Sequence, residues 1–257
     1  MRNYQRVTFG ITLLLFSVFQ WEVRGEEVKK VLLSEEALWP PYTYETSGTA
    51  TKGMSLDLMK ALFSRLNIEM ELRLFPQQRC IQQMQEGSRD AMTLISKNKT
   101  REEFLDYTAP ILEDQGLIYY SIDQKTPLQW KTFEDLKAYR VGIVSGYNYG
   151  DAFKEAWEKY HLRVDPVTTI GQNFQKLNIN RIDLMLANQA EASEFIRNNP
   201  EYKGRFKTTD KPYLSYSYHM AFSKKSPAKA LIPQINDTIQ KMKDDGSLSP
   251  ILAKYLQ

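Results

Sequence analysis

One cysteine and two histidines are all that this 257-residue chain offers to thiol or metal chemistry. A lone Cys80 can form no internal disulfide and reads as a small buried residue. His161 and His219 lie far apart, without the spacing of a metal site. The glycine patterns of phosphate and dinucleotide loops are missing, and so is the strand-turn-helix serine elbow of hydrolases. Charge of one sign is scarce too. The formal net charge is +3, and no basic stripe of the kind nucleic acid requires is present. No metal, cofactor or nucleic-acid partner is therefore expected.

What is present is a well-mixed composition, 42% hydrophobic and 25% charged, as expected of a packed globular chain of one large or two modest domains. Its start reads as a targeting segment. Arg2 and Arg6 precede the apolar run "VTFGITLLLFSVFQW", which is short for a bilayer span, and Val23 and Gly25 suit a cleavage site. Residues 1–25 are expected to be a signal peptide, with an uncleaved membrane anchor as the alternative. No cysteine stands directly after the cleavage point, where Glu26 is found, so lipid anchoring there is not expected. Removing Arg2, Arg6, Arg24 and Glu22 with that segment leaves a net charge of +1.

Beyond it, strand and helix patterns alternate. "KKVLLSEE" reads as a strand and "SLDLMKALFSRL" as a helix with Ser55 as its cap. The strand "MELRLF", the helix "PQQRCIQQMQEG" and the strand "RDAMTLI" follow. This describes a βαβαβ unit. A second unit begins after residue 130: the helix "TFEDLKAY" with Thr132 and Asp135 as a capping box, the strand "RVGIV", the turn "SGYNYG", the helix "DAFKEAWEKY", the strand "RIDLMLA" and the helix "QAEASEFIRNN". "LSYSYHMAFS" alternates with strand periodicity, and two helices close the chain. The two units should be joined twice, near residues 111–121 and 213–220, which makes a hinge and a cleft.

Candidate functional residues gather at strand ends. In "SKNKTREEFLDYTAP", Thr100 reads as a helix cap and Arg101 sits in the first turn, against the helix dipole. A guanidinium beside free helix N–H groups can hold a carboxylate; the alternative is a surface ion pair with Glu102, Glu103 or Asp106. Ser96 could assist or be merely solvated. Trp39, in "ALWPPYTY", could stack on a ligand or pack on a helix. Tyr147 and Asn148, beside Gly146, could offer hydrogen bonds, or belong to an ordinary turn. Asn188 could contact a ligand or cap a helix.

The order and spacing of "GMSLDLMKALFSRLNIEMEL", "SKNKTREEFLDYTAPI", "LKAYRVGIVSG", "NRIDLMLA" and "IQKMKDDGSLSPILAKYL" resemble the family 3 extracellular solute-binding proteins across residues 28–256. The resemblance implies an α/β, two-lobed type II periplasmic binding protein fold, each lobe a mixed sheet flanked by helices, joined by a two-stranded hinge. Lobe 1 would comprise 26–112 and 216–257, and lobe 2 113–215. It further implies a soluble, monomeric periplasmic protein that passes an amino acid or related acid to an ABC importer permease. Arg101 falls on the position that clamps the ligand carboxylate, with Ser96 and Trp39 beside it. Asn188 stands where the amino-acid binders usually carry an Asp for the ammonium, and Tyr147 where Thr is common. Arg79, in "PQQRC", resembles a subgroup with an Arg there, as a second anion contact or a surface residue. Two other functions remain open on this fold: a sensory module for a receptor kinase, and a dehydratase using Glu35 as general acid or base.

Overall fold

Alternating apolar strands and amphipathic helices produce two α/β layers that share one hydrogen-bonded sheet. The computed structural model describes residues 28–45, 48–124, 128 and 130–256; the expected signal peptide lies outside them. Lobe 1 contains β1 (Lys30–Glu36), β2 (Gly48–Thr49), α1 (Met54–Leu66), β3 (Glu69–Phe75), α2 (Gln77–Glu86), β4 (Ala91–Ser96) and α3 (Lys99–Glu102). The 17-residue β5 (Leu105–Ser121) then leads into lobe 2: β6 (Arg140–Val144), α4 (Asp151–Tyr160), β7 (Arg163–Val167), α5 (Ile170–Asn178), β8 (Leu184–Asn188), α6 (Gln189–Asn198) and β9 (Phe206–Thr208). β10 (Leu214–Ser223) returns to lobe 1, which α7 (Ile232–Asp244) and α8 (Leu248–Ala253) complete.

The strand order is β2-β3-β1-β4-β10-β5-β8-β6-β7, with β9 on β5. β1 runs parallel to β3 and β4, and β6 parallel to β7 and β8. β5 and β10 are antiparallel to each other, and both cross from lobe to lobe. They are the two strands that connect the lobes. Because of this arrangement the carboxyl ends of β1, β4, β6 and β8 all face the seam between lobes, where open α/β sheets place their ligands.

Apolar burial fixes each lobe. In lobe 1, Leu58, Met59, Leu62 and Phe63 of α1 pack with Val31 and Leu33 of β1 and with Ile235, Ile239 and Met242 of α7. In lobe 2, Phe174 is fully buried and stacks on Phe195 with centroids 4.6 Å apart, above Met185 and Leu177. Cys80 is buried, as expected.

Several local expectations are corrected. The cap of α1 is Gly53, not Ser55. Its φ of 136° suits glycine, and an added Cβ would meet the Tyr42 carbonyl at 2.1 Å. Ser55 is free to turn inward instead. "TFEDLKAY" does contain the Thr132–Asp135 capping box but forms a 3-10 helix, Phe133–Ala138, not an α-helix. β7 and α5 were not anticipated. Pro166 interrupts the strand signal, and it is tolerated because β7 is the edge of the sheet. α5 carries its own Thr169–Gln172 capping box. β10 alternates in sequence, yet from Tyr218 onward both of its faces are buried, because it lies between β4 and β5 at the centre of the sheet.

Phe174→Ala should cost about 3–5 kcal/mol of stability, the price of a cavity in a fully packed site. Urea unfolding checks this, with the loss expected in the transition midpoint rather than the slope.

Candidate functional site

Arg101 is 6% exposed, so a guanidinium that the sequence leaves undecided between surface and cleft is in fact buried. The residue that caps α3 is Asn98, not Thr100, and its side chain accepts from the Arg101 N–H at 2.8 Å. α3 is a single turn, so it offers little dipole for an anion, and the expected helix-start contribution falls away. What remains is the side chain. It folds back over β4, donating from Nη1 to the Ser96 carbonyl at 2.9 Å and its hydroxyl at 3.3 Å. Nη2 crosses the seam and donates to the Gly146 carbonyl at 2.9 Å. Gly146 has φ +85°, a conformation that turns the backbone after β6 and suits glycine. The alternative, a surface ion pair with Glu102, Glu103 or Asp106, does not form. Among the described residues no carboxylate lies within ion-pair distance of Arg101. Burial holds its pKa below the usual arginine value, partly offset by Tyr107, Tyr218 and Glu36.

Around it the two lobes interlock. Asn148, in the turn after β6, donates from Nδ2 to the Ser96 hydroxyl at 3.1 Å and the Lys97 carbonyl at 2.8 Å. Trp39 is buried in the wall and stacks on Tyr42, centroids 3.9 Å apart, with its edge toward Tyr147 and Tyr218. Tyr44 of lobe 1 donates to Glu194 of α6 at 2.9 Å. Asn188 occupies the cap position of α6 but makes no capping bond; its amide donates to the Tyr218 hydroxyl. Asp114 on β5 stands at the α6 start instead, accepting from the Ala190 N–H at 3.4 Å. Its pKa is raised to about 6 by burial.

The cleft is thus closed. Arg101, Ser96, Trp39, Tyr147, Asn148 and Asn188 line a cavity of about 20 Å³, room for one water molecule. Arg79 is not among them. It is half exposed and lies 3.9 Å from Glu86 on its own helix, which places it on the surface.

Sequence reasoning missed Glu36, Gln77, Tyr216 and Tyr218, which also line the cavity. Glu36 could have been found from strand period alone. Successive residues of "VLLSEE" point to opposite faces, so of two adjacent acids at the strand end one must face away from the other. Glu35, the acid or base candidate, is the one turned from the cleft. Fully buried, it accepts from the Ser55 hydroxyl at 3.1 Å, the Thr93 hydroxyl, the Leu94 N–H at 3.2 Å and the Glu36 N–H at 2.8 Å. Desolvation raises its pKa to about 8 despite these donors.

Two lobes on a two-strand hinge, with polar side chains from both converging on one closed seam, define a receptor that encloses a small solute. The chain belongs to the bacterial extracellular solute-binding proteins, family 3, whose model matches residues 33–257. Among relatives, it is 21% identical over 225 residues to a probable histidine-binding protein of Neisseria gonorrhoeae, covering 87% of this chain and 81% of the relative. It is 23% identical to the ABC transporter arginine-binding protein 1 of Escherichia coli (strain K12), covering 87% and 89%. An ancestral arginine-binding protein solved with arginine superposes with a TM-score of 0.73 at 23% identity, covering 89% of this chain and 99% of that one.

Glu35 binds a proton in the native state that the unfolded chain has already released above about pH 4.5. A carboxyl with a raised folded-state pKa stabilises at low pH, and that contribution is lost as pH rises toward about 8. The melting temperature should therefore fall across this window, and Glu35→Gln should remove part of the fall. An unchanged slope in thermal unfolding against pH would mean that Glu35 does not carry that proton.

Proposed function

We propose that the protein is a periplasmic receptor that closes its two lobes on a small carboxylate-bearing solute, an amino acid or related acid, and presents the closed form to an ABC importer. The observation that carries this reading is Arg101, a buried guanidinium aimed at the seam, with no carboxylate within ion-pair distance among the described residues. A buried charge without a counter-charge is costly, and a solute carboxylate relieves that cost with paired, charge-assisted hydrogen bonds. Ser96 keeps its hydroxyl proton available, since it accepts from both Arg101 and Asn148. Trp39 covers one face of the solute.

A cavity the size of one water admits no amino acid, so entry requires the lobes to part along β5 and β10. Opening gives up the bonds from Arg101 to Gly146, Asn148 to Lys97 and Tyr44 to Glu194. Each is an exchange with water, with a net contribution of about 0.5–1.5 kcal/mol for a neutral pair and about 1.5–3 kcal/mol where a charged group takes part. A solute that touches both lobes adds to these. Relatives named as a probable histidine-binding protein and an ABC transporter arginine-binding protein support both the solute class and the partner. The reading includes no bond-making step, and Glu35, the one acid or base candidate named for such a step, is walled off from the cleft.

Thermal unfolding against L-amino acids, their deaminated acids and dicarboxylates tests the reading. A solute should raise the melting temperature with concentration. Arg101→Ala should weaken its binding by at least about tenfold, the loss of a charge-assisted pair. A solute that stabilises both forms equally would remove Arg101 from the site.

A further inference from the structure

The seam holds a second group that Arg101 does not explain. Tyr147 of lobe 2 places its hydroxyl 3.2 Å from Oε1 of Glu36 on β1 and 3.1 Å from Oε1 of Glu191 on α6. Both glutamates are more than nine-tenths buried, at 7% and 3% exposure, and the second oxygen of each, Oε2, has no hydrogen-bond partner among the described residues. A phenol has one proton and can donate to only one of them. The other must itself be protonated and donate to the phenol oxygen. The closed seam therefore holds at least one proton across two carboxyls that come from opposite lobes.

The surroundings agree. Burial raises the pKa of both acids, and each repels another carboxylate: Glu36 feels Glu191 and Glu35, and Glu191 feels Asp114 of β5. Opposing this, Arg101 favours ionised Glu36, and the Trp39 indole N–H approaches Glu191 closely enough to favour its anion without completing a hydrogen bond. Tyr42, Tyr216 and Tyr218, from the loop after β1 and from β10, are all buried and keep their protons. Gln77 adds a further buried acceptor without a partner at the cavity wall. Apart from the Trp39 N–H, the atoms left unpaired here are acceptors.

We infer that Glu36 and Glu191 are the two halves of a cation subsite, one on each lobe, which takes the ammonium or guanidinium group of the solute in exchange for the shared proton. The inference rests on Arg101 as the carboxylate clamp. It also answers the question raised by Asn188, whose amide is committed to Tyr218 and carries no charge. Glu191 lies three residues on, in the first turn of α6 that Asn188 precedes, and supplies the counter-charge that position 188 lacks. With Arg101 neutralised by a carboxylate, the pair matches a solute with two positive groups best. Basic amino acids should bind more tightly than neutral ones, and neutral ones more tightly than amine-free acids.

Calorimetric titration of L-arginine at neutral pH, in two buffers of different ionisation enthalpy, reads the exchange directly. The wild type should release close to one proton per L-arginine bound, and affinity should rise as pH increases toward 8. Glu191→Gln should lose at least about tenfold in L-arginine affinity together with the proton release. Its binding of succinate, which needs only Arg101, should be unchanged or tighter. Glu36→Gln repeats the test from the other lobe, should either variant fail to fold. If succinate and L-arginine bind equally well through Arg101, with no proton released, the cation subsite is overturned and the clamp survives. If neither binds in an Arg101-dependent way, both readings fall.

Discussion

A buried guanidinium must be surrounded by acceptors, and here no single lobe supplies enough of them. Arg101 takes two from Ser96 at the end of β4 in its own lobe and a third from Gly146 on the opposite lobe. The rest of the seam follows from that requirement. The Gly146 carbonyl can be offered only if the chain turns sharply after β6. That same turn brings Asn148 onto the Ser96 hydroxyl and Tyr147 between the two glutamates.

The acids of the seam impose the complementary constraint. Two carboxylates cannot both ionise a short distance apart in a dry site, so closure of the cleft is tied to neutralising one of them. A cation or a proton can do this. The hinge makes the choice consequential, because Glu36 and Glu191 meet only when β5 and β10 bring the lobes together. Glu35 behaves differently from its neighbour. Its four donors come from its own lobe, so its protonation bears on the stability of lobe 1 and not on closure.

The sequence carried most of the elements because their causes are local. The apolar stripe of α1, the Thr132–Asp135 box, the strand "RVGIV" and the glycine after α2 each act within a few residues. It missed β7 and α5 where a proline masked an edge strand. It misplaced the caps at Ser55 and Thr100, where the better partner for each side chain or N–H lay elsewhere. Arg101 stood out as an oddly placed charge, whereas Arg79, just as noticeable in the sequence, proved to be a surface residue paired within its own helix.

By itself the sequence determined the alternation of strands and helices, the two crossings between lobes and the strand ends at which function would gather, since hydrophobic period and capping are read from neighbouring residues. Only the tertiary structure decided which strand-end groups meet. The Arg101 guanidinium reached Gly146, and Glu36 met Glu191 through Tyr147, because two separately packed lobes were brought face to face by β5 and β10. Nothing local in the chain records that juxtaposition, and burial, which sets the charge state of every group in the seam, exists only once it has formed.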